Sequence, residues 1–286
     1  MLFDCCKCCS PSFFIYTAGI VYIAKILLPF ILDFVKKHYQ QLNEKNWKKD
    51  VVYLVQMYGN STLSSVSPFC IKVEAFLRIN KIPFERRYTM LLRGKNDKVP
   101  FIELNGEQIA DSQIIIKRLC EKYNIQEYKT PKESAVARAV GRMVDNHIFF
   151  GNLNFKKQRP EILLGAVAGP SIPSFVVDYI ITPLKKSHLT NMLHGGVGKF
   201  SNEEHEELLR DDYTALLNVL GSKNFLMGDK PTTADCTAFG HLAGVYYLSP
   251  GTQYYPVDLL NSNEFLPLKQ WMERMKETAF GDEFHM

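Results

Sequence analysis

The stretch from Val51 to Tyr123 constrains the fold of this chain more than any other, because strand and helix signals alternate along it. VVYLVQM (Val51–Met57) is an apolar, β-prone run and predicts a buried strand. Ser67-Pro68 then places an N-cap residue and a first-turn proline before apolar residues that recur at helical spacing. Pro83 follows and ends this helix.

The second half of the stretch predicts three short strands and a helix. PFERRY (Pro83–Tyr88) and KVPFIEL (Lys98–Leu104) are extended, and Asn105-Gly106 is a strong hairpin signal that turns the chain into EQIA (Glu107–Ala110). Asp111-Ser112 then caps a helix. The resulting order, β-α-β-β-β-α, is that of a thioredoxin-like unit.

Strand signals end after the polar linker Asn124–Lys132, and only helical patterns follow. We predict helices over Glu133–Phe149, Asn202–Leu220, Thr232–Leu248 and Leu266–Lys276. The predicted fold class is therefore α+β, with an N-terminal membrane helix, a thioredoxin-like domain and an all-α domain. The predicted segments are a tail and anchor (1–37), a basic linker (38–50), the thioredoxin-like domain (51–127) and the helical domain (132–286).

Composition excludes two classes of protein. Hydrophobic residues make up 46% of the 286 residues and charged residues 22%, which is ordinary for a folded chain and excludes global disorder. The net charge of +4 is mild, and no basic face carries interleaved aromatic residues, so nucleic-acid binding is excluded.

SFFIYTAGIVYIAKILLPFIL (Ser12–Leu32) has about the 20 residues that a membrane helix needs. Lys25 interrupts it at a cost of about 2–3 kcal/mol on insertion scales, and Pro29 is a second interruption. No cleavage site for a signal peptide follows. We therefore predict a membrane anchor, with an amphipathic core helix or an interfacial helix as the alternative. Lysines downstream would place the folded domains in the cytosol; they are Lys36, Lys37, Lys45, Lys48 and Lys49.

Four cysteines precede this segment: Cys5, Cys6, Cys8 and Cys9. Juxtamembrane cysteines are frequent acylation sites, and we predict acylation here. A soft-metal site and a tail without a role are the alternatives, since the spacing is not that of a zinc site. Acylation and the lysine bias agree only if the segment lies in the membrane without crossing it. The other cysteines are far apart and predicted as free thiols: Cys70, Cys120 and Cys236.

GDKPTTAD (Gly228–Asp235) places Thr232 and Asp235 three residues apart, just before an apolar run. This spacing predicts a capping box, in which the carboxylate reaches back to the backbone N–H of the threonine. Both residues are therefore predicted to be structural.

Three segments together resemble the glutathione transferase superfamily: LSSVSPFCIKVEAFLRINKIPFE (Leu63–Glu85), KVPFIELNGEQIADS (Lys98–Ser112) and Gly228–Asp235. The resemblance is to the branch with failed-axon-connections proteins and metaxins, and is nearest to nematode cadmium-responsive proteins. It implies a thioredoxin-like domain followed by an all-helical domain, with glutathione as ligand and a dimer or other protein partners as expectations. It also implies a link to detoxification or cadmium stress.

The resemblance assigns roles to particular residues. Ser67 stands in the catalytic position, where its hydroxyl would donate a hydrogen bond to the glutathione thiolate. Val99-Pro100 matches the family's cis-proline, with Val99 pairing with the cysteinyl part of glutathione. Asp111-Ser112 matches the pair that holds the γ-glutamyl carboxylate. Cys70, without a partner cysteine, is interpreted as a small buried residue. The segment between Tyr88 and Lys98 leaves little room for the second helix of a full glutathione site.

Two functions follow. The first is a membrane-tethered, glutathione-dependent enzyme, and the second is a non-catalytic adaptor that uses the fold as an interaction platform. The expected location is an intracellular membrane, with the lysosome and the mitochondrial outer membrane as the alternatives considered.

Overall fold

In the computed structural model, the described part of the chain comprises residues 42–89, 94–95, 98–158, 186, 190, 195–248 and 251–286. Contacts divide the chain into residues 1–45 and residues 46–286, and the elements below all belong to the second unit. The predicted anchor at residues 12–32 and the four N-terminal cysteines lie outside the described residues. Within the described ranges, no helix has the length and apolar character needed to cross a membrane.

The sheet is four-stranded, in the order β2-β1-β3-β4. Strand β1 pairs parallel with β2 and antiparallel with β3, and β3 continues antiparallel into β4. All residues of β1 are buried, which fits its apolar sequence and its central place. The strands are β1 (Val52–Gln56), β2 (Phe84–Tyr88), β3 (Phe101–Leu104) and β4 (Glu107–Ala110).

Two helices flank the sheet in this domain, α1 (Pro68–Ile79) and α2 (Ser112–Tyr123). Every residue of α1 from Cys70 to Leu77 is buried, including a lysine and a glutamate. A helix this deeply buried needs partners for its charges. The carboxylate of Glu74 forms ion pairs with Arg78 Nε at 3.0 Å and with Arg86 Nε at 3.3 Å. Because Arg86 belongs to β2, the second ion pair joins α1 to this strand.

After α2, the regular elements of the described residues are helices, as predicted. A π-helical segment (Met143–Ile148) joins the first two of these helices. The helices are α3 (Pro131–Arg142), α4 (Phe149–Gln158), α5 (Asn202–Leu220), α6 (Thr233–Tyr246), α7 (Tyr255–Asn261) and α8 (Leu266–Ala279). The thioredoxin-like sheet and the helical domain of the predicted α+β fold are thus both confirmed.

Helix α6 brings the two domains together at a glycine. A Cβ atom added at Gly240 would lie 2.5 Å from the carbonyl oxygen of Pro68 and 2.9 Å from the backbone nitrogen of Lys72. Only a residue without a side chain lets α6 approach the start of α1 so closely. The helical domain therefore covers the first turn of α1.

The capping box of α6 is present. Asp235 Oδ2 accepts hydrogen bonds from the backbone nitrogen and the hydroxyl of Thr232, both at 2.9 Å. Its other oxygen accepts from Leu226 N at 2.7 Å and from Trp271 Nε1 at 3.0 Å. Asp235 therefore also joins α6 to the preceding loop and to α8, which the sequence pattern had not indicated.

The last residues before β1 are held against the domain. Asp50 donates its backbone N–H to Asn105 Oδ1 at 2.7 Å, and its carboxylate lies 2.6 Å from Lys122 Nζ. These bonds join the end of the predicted basic linker to the hairpin turn and to α2.

Candidate functional site

Strand register brings three chain segments to one end of the sheet. Val55 of β1 lies opposite Phe101 of β3, and Phe101 lies opposite Ala110 of β4. Neighbouring strands are about 4.8 Å apart. The loop that leaves β1 toward Ser67, the approach to β3 at Val99-Pro100 and the start of α2 at Asp111-Ser112 therefore share this end.

The Val99-Pro100 peptide bond is cis, as the resemblance implied. Pro100 is buried and Val99 is half-buried beside the small cluster of Val55, Phe101 and Ala110. In the preceding loop, a Cβ added at Gly94 would lie 2.9 Å from Phe101 Cβ. The described residues of this loop, Gly94-Lys95 and Lys98, contain no helix.

Asp111 caps α2, as predicted. Its Oδ1 accepts from Gln113 N at 2.9 Å and from Ile114 N at 3.3 Å. The backbone of Asp111 has a φ of 77° and a ψ of 124°, outside the left-handed helical region, so this residue is held in a strained conformation. Ser112, which begins the helix, is only 5% exposed. A hydroxyl and backbone N–H groups at a helix start form a favourable place for a carboxylate.

Ser67 occupies the N-cap position of α1, as predicted, and its side chain makes no capping hydrogen bond. The residue is 8% exposed, and its backbone N–H donates to Ser65 Oγ at 3.3 Å. Burial raises the pKa of the Cys70 thiol to about 11, although hydrogen bonds with Ser67 and Met57 lower it. The thiol is therefore protonated at neutral pH and buried, in agreement with its interpretation as a small core residue.

An aromatic group covers the first turn of α1. Phe69 packs against Phe149 with ring centroids 5.0 Å apart, and edge-on against His241 at 4.9 Å. Burial lowers the pKa of His241, although its hydrogen bond to Asp145 opposes this. The imidazole is therefore neutral at pH 7.

A buried polar cluster lies behind this aromatic group, and the sequence had not indicated it. Lys72 Nζ lies 2.7 Å from Asp145 Oδ2, and Gln113 Nε2 lies 3.1 Å from the same oxygen. His241 Nε2 lies 3.0 Å from Asp145 Oδ1. In the sequence, Lys72 and His241 stand out as polar residues within apolar helical runs. Their spacing does not show, however, which acidic side chain they contact.

A cavity of about 560 Å³ opens between α2, α3 and α6. Lys72, Gln113 and Asp145 are among the residues that line it, so the buried cluster borders a space that a small molecule can fill. Ile114 and Ala137 contribute apolar wall, while Arg138 and Arg142 add positive charge. Within the described ranges, no group of three or more His, Cys, Asp or Glu side chains is arranged to hold a metal ion.

Two families match the parts of the chain that form this architecture. Residues 68–161 match the glutathione S-transferase N-terminal domain, and residues 209–275 match the glutathione S-transferase C-terminal domain. Failed axon connections of Drosophila melanogaster is 32% identical over 262 residues, which cover 84% of this chain and 61% of that protein.

The chain belongs to the glutathione transferase superfamily.

Other relatives lie in the same superfamily or beside it. Human metaxin-2 is 22% identical over 204 residues, covering 68% of this chain and 77% of metaxin-2. The isoprene-epoxide–glutathione S-transferase of Rhodococcus sp. (strain AD45) is 26% identical over 195 residues, covering 63% of this chain and 80% of that enzyme. These matches support the branch of Failed axon connections and metaxins, although the chain spans only about three fifths of the length of Failed axon connections.

Solved glutathione transferases share the fold. The enzyme GSTFuA3 from Phanerochaete chrysosporium aligns with a TM-score of 0.58 at 13% identity, covering 82% of this chain and 99% of that one. A glutathione S-transferase from Methylobacterium radiotolerans, in complex with glutathione sulfonate, aligns with a TM-score of 0.54 at 14% identity, covering 82% and 95%. At these identities the likeness concerns the fold alone.

In this glutathione transferase fold, the segments that carry the predicted site residues share one end of the sheet, while two nearby arginines are already engaged. Arg86 Nη1 donates to His285 O at 3.1 Å in addition to its ion pair with Glu74. Arg87 lies 2.8 Å from Glu85 and over the ring of Tyr53. Neither guanidinium is a free partner for the carboxylates of a tripeptide.

Proposed function

We propose that this protein binds glutathione at the end of the sheet where Ser67, Val99-Pro100 and Asp111-Ser112 meet. The observation that carries the proposal is the strand register, which brings together residues that are distant in sequence. Membership of the glutathione transferase superfamily supports the same ligand. A tripeptide with two carboxylates and a thiol suits a site made of helix N-termini and one strand edge.

Each part of the site would contact one part of the ligand. The backbone N–H and the hydroxyl of Ser112 would hold the γ-glutamyl carboxylate, and the Val99 backbone would pair with the cysteinyl residue. The Ser67 hydroxyl would donate a hydrogen bond to the thiolate. The positive end of α1 favours the ionised sulfur, because a helix N-terminus lowers the pKa of a nearby thiol.

If the protein is an enzyme, the reaction is addition of the glutathione thiolate to an electrophile. The sulfur forms a bond to carbon, and the electron pair moves to a leaving group or an opened ring oxygen, which takes a proton from water. Detoxification and a response to cadmium, a thiol-seeking ion, would both depend on bound glutathione and belong to this proposal.

Calorimetry on the full-length protein in a mild detergent tests glutathione binding. We expect saturable heat at millimolar glutathione. Ser112→Ala should weaken binding about tenfold, because it removes a hydrogen bond to a charged group. Ser201→Ala is the matched control, since Ser201 caps α5 in the helical domain and accepts from Glu204 N at 3.2 Å. Absence of heat at about ten millimolar ligand would refute the proposal.

A second candidate is a non-catalytic adaptor, and the burial of Ser67 favours it. With 8% exposure and a hydrogen bond to the Cys70 thiol, the hydroxyl is poorly placed to serve a substrate. The similarity to Failed axon connections and metaxin-2 is compatible with such a role. Glutathione binding together with no measurable conjugation of an aryl halide would support it, and Ser67-dependent turnover would exclude it.

We further propose that residues 12–32 attach the protein to an intracellular membrane, that of the lysosome or the mitochondrial outer membrane, with the folded domains in the cytosol. The apolar length of the segment and the lysines that follow it support this. Deletion of residues 1–37 should move the protein to the soluble fraction. Substitution of Cys5, Cys6, Cys8 and Cys9 by serine should abolish labelling with a palmitate analogue. Continued sedimentation of the deletion variant with membranes would contradict the anchor.

A further inference from the structure

One carboxylate joins the first two turns of the two helices that form the proposed glutathione site. Asp145 Oδ2 accepts from Lys72 of α1 at 2.7 Å and from Gln113 of α2 at 3.1 Å. Its other oxygen contacts His241 of α6 at 3.0 Å. Lys72 and His241 are each 2% exposed and Asp145 is 6% exposed, so water competes little for these bonds.

Asp145 comes from the π-helical segment between α3 and α4. Such segments interrupt the regular hydrogen bonding of an α-helix, and they are found frequently at functional sites. Here the interruption carries Asp145, an acidic side chain that contacts both helices of the thioredoxin-like domain.

The partners of Asp145 also contact residues of the candidate site. Gln113 donates its backbone N–H to Asp111 Oδ1 at 2.9 Å while its side chain contacts Asp145, so it links the two carboxylates. Lys72 lies in the second turn of α1, five residues after Ser67, and the ring of His241 packs edge-on against Phe69 in the first turn of that helix. The cluster therefore contacts the first turn of both helices, through Gln113 in α2 and through the ring of His241 against Phe69 in α1.

We propose that Asp145 is a positioning residue for glutathione, which holds the start of α1 and the start of α2 at the separation that the ligand requires. The inference rests on the proposed function. Glutathione would have to contact Ser67 and Ser112 at the same time. If the two helix starts move apart, only the fraction of protein molecules with the correct separation can bind the ligand. Apparent affinity falls by that fraction.

The most informative variant is Gln113→Glu. It keeps the size of the side chain but replaces the amide donor by a carboxylate, which repels the carboxylate of Asp145. Asp145→Asn removes the counter-ion of a buried lysine and can prevent folding, so it is the secondary variant. Gln270→Ala is the matched control, because Gln270 is an exposed glutamine on α8. We expect glutathione to bind Gln113→Glu about tenfold more weakly, corresponding to one lost hydrogen bond with a charged group, and the control to bind like the wild type.

A purely structural role predicts a different result. Measured well below the melting temperature of every variant, the dissociation constant would then be unchanged while the melting temperature falls, and this outcome would overturn the proposal. Gln113→Ala and Asp145→Asn should also be non-additive in their effect on the dissociation constant, because both interrupt the same contact.

Amide hydrogen exchange separates this inference from the proposed function. Gln113→Glu should increase exchange at the start of α2 and also at the start of α1, where no substitution was made. If the wild-type protein binds no glutathione, the proposed function fails, while coupled exchange at both helix starts would still support the positioning by Asp145. Faster exchange confined to α2 would overturn it.

Discussion

Trp271 donates its indole N–H to Asp235 Oδ1 at 3.0 Å, which connects α8 to the carboxylate of the α6 capping box. Both residues are fully buried. The capping residue therefore has two structural roles, one at its own helix start and one between helices.

Asp235→Ala should lower the free energy of unfolding by about 3 kcal/mol or more. It leaves the N–H groups of Leu226, Thr232 and Trp271 without their shared acceptor, at about 1–3 kcal/mol for each unsatisfied group. Thr232→Ala, which loses only a hydroxyl, should cost about 1 kcal/mol. Urea unfolding followed by circular dichroism measures both changes. Ser201→Ala, at the exposed capping box of α5, serves as the comparison. If Asp235→Ala lowered the free energy of unfolding no more than Ser201→Ala does, the prediction would be contradicted.

Replacing Lys156 by methionine should stabilise the protein. Lys156 is 7% exposed and donates to Gly244 O at 2.6 Å, and no acidic partner lies beside it among the described residues. Burial lowers its pKa from 10.5 to about 8. Each pKa unit corresponds to about 1.4 kcal/mol, so removal of the charge should add up to about 3 kcal/mol near neutral pH.

The same group predicts a pH dependence of stability. The unfolded chain keeps the proton of Lys156 up to a pH near 10.5, whereas the folded chain releases it near 8. Stability should therefore rise between these two pH values in the wild type, and less so in Lys156→Met. Lys223→Met, at an exposed lysine, should leave the melting temperature within error. A lower melting temperature for Lys156→Met would show that its charge is compensated.

His241 should make the protein less stable as the pH falls below about 6.5. Burial lowers the pKa of the folded imidazole, and the charges of Lys72 and Lys156 act in the same direction against Asp145. The unfolded chain therefore takes up a proton that the folded chain does not, and acid favours unfolding. Thermal melts between pH 7 and pH 5 should show a smaller decline for His241→Gln, whose amide can still donate to Asp145. His285→Gln, at an exposed position, should decline like the wild type.

Cys70 should not react with thiol reagents in the folded protein at pH 7.5. Burial raises its pKa to about 11, and the thiolate is the reactive form. The test uses a variant in which Cys5, Cys6, Cys8 and Cys9 are serine, with mass spectrometry to locate the label. Labelling of Cys70 should follow global unfolding. Fast labelling under native conditions would instead indicate an accessible thiolate beside Ser67.

Several elements were predictable because their information is local. The helix Asn202–Leu220 was predicted with its observed bounds from its regular apolar stripe, and the structure adds a capping box of Ser201 and Glu204 at its start. Helix α7 (Tyr255–Asn261) was missed, because seven residues carry too few repeats of the helical period. The continuous helix predicted over Glu133–Phe149 instead contains a π-helical segment, since its hydrogen-bond shift leaves little trace in the apolar pattern.

The sequence alone determined the order of the elements, the α6 capping box and the residues of the candidate site, because spacing, turn chemistry and family motifs are all recorded along the chain. Only the tertiary structure decided which side chains meet. It left the Ser67 side chain without a capping hydrogen bond, paired Arg86 with Glu74, and joined Lys72, Gln113 and His241 through Asp145. Such pairings depend on packing between distant segments, and burial then fixes their strength and the pKa values of the groups involved.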